Sequence, residues 1–377
     1  MKKIIVLLLA FFLAVPYAAA AELPLLRLDS GVLDYVAAKP GTLRAEGKTY
    51  SVTVKYRGSY SATFRGKRNY SLHLKTEDGG QMKQSLLGLR EDDDYVLLGA
   101  LSDPSRLRNI VGMELWRSLG YPAPAAAACE LYFGEYYKGV YFLAERPDRK
   151  SAGIPREGAL YRILAARADG INLFAAAEKG APKAETWYNA GKVYPEEPSG
   201  WQPLQALLAA EDPAALMDRT AFADYYLFVN LIGATDNMKK NLYLCWNGTC
   251  FYPMPWDLDA SFGRLYNADL SDPDVLYTGP VYDLLTNDAQ YRTLLRERWA
   301  VLKNRLSPDA VMAVFDRWVL LLEQAGAWDR EKERFPVYTD SSTGNSHPLD
   351  PEGETAVIRA YLTGRYALLD KLYGETP

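Results

Sequence analysis

Acidic and amide side chains suited to a divalent cation concentrate between residues 235 and 263. Asp236 and Asn241 stand in a short polar segment, and Asp257 and Asp259 follow in the run Trp256-Asp257-Leu258-Asp259. Their oxygen atoms are hard ligands of the kind that Mg²⁺ prefers. A phosphoryl group in transfer needs its negative charge neutralised. These residue types therefore indicate a metal site that would serve phosphoryl transfer.

A predicted hairpin between these residues brings them together. The segment 241–254 contains Asn247-Gly248, which is the strongest two-residue signal for a β-hairpin. The hairpin would place Asp236, Asn241 and Asp257 around one small volume. Protein kinases use the same order, in which the first Asp orients the acceptor hydroxyl and the Asn and second Asp hold Mg²⁺. A structural interpretation stays open, with Asp236 as a loop residue and Asp257 as a helix cap.

The same hairpin predicts a disulfide. A two-residue turn at Asn247-Gly248 pairs Cys245 with Cys250 at a non-hydrogen-bonded position, where Cα atoms lie ~4.5 Å apart. That separation is at the short end of the range for disulfides. The alternative is two reduced cysteines on the hairpin. Cys129 is left over and is predicted to be buried.

The N-terminus has the pattern of a secretory signal peptide over residues 1–20. Lys2 and Lys3 precede an apolar run over 4–15, and the small residues 18–20 follow. We expect an exported protein, periplasmic or extracellular at the cell surface, with no transmembrane segment in its mature form. An uncleaved N-terminal anchor is the alternative, although the apolar run is short for a membrane span.

Composition excludes two classes of protein. The chain has 377 residues, of which 49% are hydrophobic and 24% charged, so it can bury a sizeable core. The 43 Lys and Arg against 47 Asp and Glu give a net charge of −4, which argues against a nucleic-acid partner. The only histidines, His73 and His347, rule out a His-rich zinc site.

Hydrophobic periodicity predicts an α+β protein. The strands are expected at 48–57, 69–75, 95–98, 130–133 and 139–145, and the helices at 105–119, 201–210, 213–231, 290–306, 308–324 and 351–373. We expect a signal peptide at 1–20, a β-rich N-lobe at 21–165, a connector at 166–200, and a helical C-lobe at 201–377 that contains the metal-site hairpin. Residues 333–350 are expected to form a loop.

Five blocks in chain order resemble the CotH kinase family, which is named for a spore-coat protein. They are Arg57-Gly58-Ser59 with Lys67-Arg68-Asn69-Tyr70-Ser71-Leu72; Leu86-Leu87-Gly88-Leu89; Asp92-Asp93-Asp94-Tyr95-Val96-Leu97-Leu98 with Leu107-Arg108-Asn109; Glu130-Leu131-Tyr132 with Gly139-Val140-Tyr141-Phe142-Leu143-Ala144-Glu145; and Asp236 to Asn241 with Pro255-Trp256-Asp257-Leu258-Asp259. They span most of the chain after the signal peptide.

The resemblance implies an atypical protein-kinase-like fold with two lobes. It also implies transfer of the ATP γ-phosphate, with Mg²⁺ or Mn²⁺, to Ser or Thr of a secreted or envelope protein. Asp236 would be the catalytic residue, Asn241 and Asp257 the metal ligands, and Asp259 a second carboxylate ligand.

Phosphate binding needs cations. The candidates for nucleotide binding are Arg57, Lys67, His73, Lys75, Arg106, Arg108 and Glu145. Glu145 would lie near the nucleotide base, or else be a salt-bridged strand end. Arg108 would bind phosphate, or else lie on a helix surface.

Two positions depart from the family pattern and keep alternatives open. Ser71 and His73 stand where the family tends to have Arg and Lys. Lys75 is expected on the same side of the strand as His73. Phosphate binding would then be weakened or rebuilt, so a catalytically inactive envelope or assembly protein is one alternative. A metal-dependent carbohydrate-active enzyme with Asp257 and Asp259 as its carboxylates is another. Two carboxylates that face the same way on one strand suit a metal better than opposed acid and base roles.

Overall fold

The computed structural model describes residues 22–58, 61, 66–163, 190–196, 198–238, 240–279, 282, 285 and 289–374. The predicted signal peptide at 1–20 and most of the predicted connector at 166–200 lie outside the described residues. Within the described part of the chain, no helix is both long and apolar enough to cross a membrane.

The N-terminal part is a closed β-barrel. Its strands are β1 (Leu25–Ser30), β2 (Lys39–Ala45), β3 (Lys48–Arg57), β4 (Asn69–Lys75), β5 (Asp94–Leu98), β6 (Ala126–Phe133) and β7 (Tyr136–Glu145). They are hydrogen-bonded in the order β1-β2-β3-β4-β5-β7-β6, and a parallel pairing of β1 with β6 closes the barrel.

Apolar side chains at alternate positions of the strands fill the interior of the barrel. Tyr50, Val52 and Val54 of β3 are buried with Leu72 and Leu74 of β4 in the barrel core. The two strands that this alternation predicted are therefore confirmed, with the predicted first and last residues. The strand β2 was not predicted, because its sequence KPGTLRA carries Pro and Gly and shows little apolar alternation.

A second sheet carries the predicted hairpin. Its strands are β8 (Ala159–Ile163), β9 (Ala190–Tyr194), β10 (Leu242–Trp246) and β11 (Phe251–Pro255), in the order β11-β10-β8-β9. The residues of β9 fall within the predicted connector. Two further short strands, β12 (Val337–Thr339) and β13 (Ser346–Pro348), pair within the expected loop at 333–350.

Helices dominate the C-terminal part. They are α1 (Arg108–Ser118), which lies between β5 and β6, then α2 (Gln202–Ala209), α3 (Arg219–Ile232), α4 (Ala289–Leu302), α5 (Pro308–Gln324), α6 (Ala327–Arg334) and α7 (Pro351–Tyr373). The long core helix α3 begins after Asp218, whose carboxylate accepts from Ala221 N, and ends at Gly233 with φ of 65°. It leads directly into the predicted metal-site segment.

The predicted disulfide is wrong. Cys129, Cys245 and Cys250 are all free, and Cys129 is buried as expected. Trp246 pairs with Phe251, so the loop contains four residues and Cys245 pairs with Tyr252. The cause is Asn247, whose side-chain oxygen accepts from the backbone N–H of Thr249 and Cys250. This capping favours the wider loop over the two-residue turn.

Candidate active site

The open end of the hairpin places Asn241 beside Asp257. Trp256 N donates to Asn241 O over 3.0 Å, so Asp257 is the next residue after the last pairing of the two strands. Asn241 and Asp257 have φ of 56° and 60°, in the left-handed region that Asn and Asp tolerate better than most residues. The residue types at these positions therefore suit both the backbone and a ligand role.

Asn237 fixes this arrangement. It is buried in the 3-10 helix Thr235–Met238, next to Asp236. Its Nδ2 donates to Asn241 O over 3.0 Å and to Trp256 O over 2.9 Å. One amide thus holds the backbone on both sides of the predicted metal site. Sequence reasoning missed Asn237, although its place directly after Asp236 was a signal.

Helix α1 anchors the Asp257-Leu258-Asp259 segment. Asn109 Oδ1 accepts from Leu258 N over 3.0 Å. Gly112 lets the segment approach closely, because a Cβ at this position would lie 2.7 Å from Leu258 Cδ1. The carboxylates are thus positioned from two directions, by the hairpin and by α1.

Both carboxylates are set in surroundings that disfavour their charge. Burial raises the pKa of Asp257, and Asp236 adds to this effect, while Arg57 and Arg162 oppose it. Burial raises the pKa of Asp259 well above its usual range, and the charges of Asp257, Asp103 and Asp236 raise it further. Close carboxylates of this kind repel one another until a cation or a proton lies between them.

The donors fit a divalent cation that takes further ligands from a substrate. Among the described residues, no cluster of three or more His, Cys, Asp or Glu side chains is arranged to hold a metal ion. The set here is instead two carboxylates and the Asn241 amide. Mg²⁺ commonly takes one or two carboxylates together with phosphate oxygens and water. This donor set is therefore compatible with a nucleotide-bound ion.

Asp236 precedes the hairpin in the 3-10 helix Thr235–Met238 and has a cationic neighbour. Its carboxylate is 2.8 Å from Lys240 Nζ, one helical turn on. Lys240 N also donates to Asp236 O over 2.9 Å, which closes the turn between Asp236 and Asn241. The charge of Asp236 also acts on Asp257 and Asp259, and the roles predicted for Asp236, Asn241 and Asp257 stay a prediction.

Lys67 is enclosed in a different cluster. Its Nζ lies 2.6 and 2.7 Å from the two carboxylate oxygens of Glu331 and donates to Val140 O over 2.8 Å. Arg106 Nε lies 2.8 Å from the same carboxylate. The pKa of Lys67 is lowered to about 8, mainly by burial and also by the charge of Arg106, while Glu331 opposes both effects. The two cations outweigh burial at Glu331 and lower the pKa of that carboxyl.

Comparison with known proteins identifies the family. The sequence model described as CotH kinase protein matches residues 54–369. The chain belongs to the CotH kinase family. No match was found among curated proteins.

Solved structures of two bacterial proteins resemble this CotH-family chain. The proinflammatory kinase CtkA of Helicobacter pylori matches with 12% identity and a TM-score of 0.41, over 81% of this chain and 93% of that one. HipA of Shewanella oneidensis, from a complex with HipB and operator DNA, matches with 16% identity and a TM-score of 0.36, over 89% of this chain and 64% of that one.

Besides Arg57 at the end of β3, three of the predicted nucleotide-binding residues of this CotH-family protein lie in barrel strands. His73 Nδ1 is 3.6 Å from Asp94, and Lys75 ends β4 opposite Ser51. Glu145 ends β7, where its carboxylate accepts from the backbone N–H of Arg90 and Ala125. Arg90 Nε also lies 3.8 Å from this carboxylate, so the contacts of Glu145 match the alternative of a salt-bridged strand end.

The expectation for Arg108 needs correction. Its guanidinium is fully buried and makes ion pairs with Asp103 and Glu354, and it also donates to Ser261 O over 3.0 Å. These contacts connect α1 to the segment after Asp259 and to α7. Arg108 therefore has a structural role. It is neither a phosphate-binding residue nor a residue on the helix surface.

Arg57 is the predicted cation that lies beside the carboxylates. Its guanidinium carbon is 5.4 Å from the centre of the Trp256 ring, and Asp257 is the opposite charge that acts most strongly on it. Tyr243, Arg146 and Arg162 also act on its charge, and sequence reasoning missed all three. Arg162 belongs to β8, directly opposite Tyr243 of β10, so only the pairing of the two strands brings them here.

A cavity of about 610 Å³ lies elsewhere on the surface. Arg117, Tyr121, Asp218 and Tyr252 are among its lining residues, and none of the predicted site residues lines it. Donor chemistry, and not cavity size, therefore marks the candidate site.

Proposed function

We propose that this CotH-family protein is an exported atypical protein kinase. It transfers the γ-phosphate of ATP to Ser or Thr of a secreted or envelope protein, with Mg²⁺ or Mn²⁺. The observation that carries the proposal is the position of Asn241 and Asp257 at the hairpin end, together with the mutual effect of the Asp236, Asp257 and Asp259 charges. Membership of the CotH kinase family supports it.

The residues take distinct roles in this proposal. Asp257, Asp259 and Asn241 hold the divalent ion, which when bound neutralises phosphate charge. Asp236 accepts the proton of the acceptor hydroxyl, and its neighbour Lys240 keeps the carboxylate oriented. The barrel and the helical part form the two lobes of a kinase-like fold, with the nucleotide bound between them.

Thermal unfolding with ATP tests the binding step. We expect ATP with Mg²⁺ or Mn²⁺ to stabilise the mature protein by about 2.7 kcal/mol at a hundredfold excess over Kd. Asp257→Asn should abolish the increase. Asp274→Asn, at an exposed aspartate, is the matched control and should retain it. No increase at millimolar ATP would overturn the proposal for the isolated protein.

Transfer is tested by incubation with γ-labelled ATP and exported proteins from the source cells. Label on Ser or Thr that depends on Asp236 and on the metal is the expected result. Cell fractionation tests export, and recovery of the protein only from the cytoplasm would contradict that part. Stabilisation by soluble sugars in place of ATP would favour the carbohydrate-active alternative.

A non-catalytic role as an envelope or assembly protein is the second candidate. The observation that favours it is the enclosure of Lys67, whose ammonium is occupied by Glu331 and Val140. A kinase commonly uses a lysine on the nucleotide phosphates. Binding of ATP without transfer, or no binding, would favour this second role.

A further inference from the structure

The segment that carries Asp257 and Asp259 has an unfavourable backbone conformation at both ends. Asp257 has φ of 60° and Phe262 has φ of 48°. A bulky residue such as Phe rarely adopts this left-handed region, because its Cβ then crowds the backbone. Such conformations persist where the surrounding structure holds them, and they are common at functional sites. The contacts made by residues 257–262 therefore decide where the Asp259 carboxylate lies.

The first turn of α1 holds the backbone on both sides of Asp259. Before it, Asn109 Oδ1 accepts from Leu258 N over 3.0 Å. After it, Arg108 Nε donates to Ser261 O over 3.0 Å. Two neighbouring residues of one helix thus fix the chain directly before the carboxylate and two residues after it.

Each nitrogen of the Arg108 guanidinium has a partner. Nε donates to Ser261 O, and Nη2 donates to Phe262 O over 3.4 Å. Nη1 donates to the carboxylate of Asp103 in the loop before α1, and Nη2 also donates to the carboxylate of Glu354 in α7. The side chain is fully buried. The two carboxylates therefore fix a guanidinium that in turn holds the end of the segment where φ is positive.

Stability alone does not account for this network. Desolvation cancels much of the energy of a buried ion pair, and apolar side chains of similar volume often stabilise a fold as well or better. An apolar side chain at position 108 could not donate to the carbonyls of Ser261 and Phe262, which would lose their partner. A forked guanidinium reaches both carbonyls and both carboxylates at once. Its distinct contribution is therefore the position of the chain after Asp259.

We propose that Arg108 is a positioning residue for the metal ligand Asp259, and that Glu354 keeps the Arg108 guanidinium in place. The inference rests on the proposed function for the role of Asp259 as a ligand. Glu354 also accepts from Arg264 Nε over 3.3 Å, so α7 is tied to the chain on both sides of the Ser261 carbonyl. Cation binding in the candidate site thus depends on the C-terminal helix.

Binding of Mn²⁺ to the full mature chain, followed by electron paramagnetic resonance of the free ion, tests the inference. Arg108→Lys keeps the charge but loses the fork that reaches Ser261 and Phe262. We expect it to weaken Mn²⁺ binding by about tenfold to a hundredfold, the usual effect of losing a group that orients a metal ligand. Glu354→Gln should weaken it by a smaller factor, because Arg108 remains. Asp259→Asn identifies the site, since the ion bound there should be lost.

Arg365→Lys is the matched control. Arg365 is also a fully buried arginine, and its guanidinium donates to the backbone carbonyls of Asn230, Pro273 and Val275. Urea unfolding of the metal-free proteins should show that both Lys variants lose stability. Only Arg108→Lys should lose Mn²⁺ affinity, because a merely structural role would affect the two variants alike.

The outcomes separate the inference from the proposed function. Equal Mn²⁺ affinity in the wild type and Arg108→Lys, or an equal loss in both Lys variants, would overturn the positioning role. Metal-dependent label transfer in that case would leave the kinase proposal standing. No binding at millimolar Mn²⁺ by the wild type would overturn the inference together with the metal ligands of the proposed function.

Two further results decide the remaining cases. If Arg108→Lys does not fold, Glu354→Gln takes its place, and wild-type Mn²⁺ affinity in that variant would overturn the inference. Weakened Mn²⁺ binding in Arg108→Lys alone, without any transfer from ATP by the wild type, would support the positioning role and contradict the kinase proposal.

Discussion

Two charged clusters in this protein differ in how their polar atoms are used. In the Lys67 cluster (Lys67, Arg106 and Glu331), the three donors of Lys67 have three partners, and Arg106 donates to Glu331 and to backbone carbonyls. In the Arg57 cluster (Arg57, Arg162, Asp257 and Asp259), Arg57 Nη1 has no hydrogen-bond partner among the described residues, and the two carboxylates repel.

The difference separates structural from functional charge. A buried polar network in which every donor and acceptor has a hydrogen-bond partner makes the structure rigid. A network with unpaired donors or acceptors lowers the stability of the fold unless a ligand pairs with them. The Lys67 cluster joins α6 to the barrel, since Glu331 also accepts from Val140 N over 2.8 Å. Gly139 permits this approach, because a Cβ there would overlap the Glu331 carboxylate.

The largest expected effect comes from breaking the Lys67 cluster. Glu331→Gln should lower the free energy of unfolding by about 3–5 kcal/mol, because it leaves a buried charge without its partner. Lys67 can lose its proton, but Arg106 cannot. Urea unfolding measures the change, and Glu333→Gln at an exposed site of the same helix should stay within about 0.5 kcal/mol of the wild type.

The pH dependence of that variant has a defined sign. The pKa of Glu331 is lowered from 4.5 in the folded protein. Its contribution is therefore complete above pH 4.5 and is lost as the pH falls through the lowered pKa. The Glu331→Gln variant should lack this part of the acid transition. A variant as stable as the wild type at pH 7 would contradict the structural role of the cluster.

A smaller loss is expected from the amide that supports the Arg57 cluster. Asn237→Ala should cost about 1–3 kcal/mol of stability, because the carbonyls of Asn241 and Trp256 lose their donor. It should also reduce the thermal shift produced by ATP with Mg²⁺, since Asn241 and Asp257 are no longer held together. Gln324→Ala, at an exposed helix residue, controls for truncation. An unchanged ATP shift would show that Asn237 does not position the site.

A still smaller effect is expected from pH on cation binding. The pKa values of Asp257 and Asp259 are raised, so the metal-free folded protein binds more protons than the unfolded chain above pH 3.8 and loses stability as the pH rises through the raised values. Mg²⁺ must displace these protons. Its thermal stabilisation should therefore be larger at pH 8 than at pH 5, by about 1 kcal/mol for each pKa unit of competition. Equal stabilisation by Mg²⁺ at pH 5 and pH 8 would contradict binding of the ion by Asp257 and Asp259.

No effect is expected from reduction. All three cysteines are free, so the protein unfolded in urea without reductant should titrate three thiols per chain. Dithiothreitol should leave the melting temperature unchanged. A single titratable thiol would mean that Cys245 and Cys250 pair after all and that the hairpin register differs.

The sequence alone determined the elements whose signals are local. Helices 308–324 and 351–373 were predicted to the residue, because Ser307 and Asp350 cap them directly and Pro stands at the first position of each. The order of Asp236, Asn241 and Asp257 was also readable, because these residues lie on either side of one hairpin. The hairpin register was missed, because the choice between a two-residue and a four-residue loop depended on one Asn side chain.

Only the tertiary structure decided which charges meet. Lys67 was expected near phosphate, but its partner Glu331 belongs to a helix near the other end of the chain. Arg162 and Tyr243 become neighbours only when β8 pairs with β10. Local periodicity specifies which face of a strand or helix is apolar, but it does not specify which distant element covers that face. The ion pairs, and the Arg57 nitrogen that has no partner among the described residues, therefore follow from packing between segments far apart in sequence.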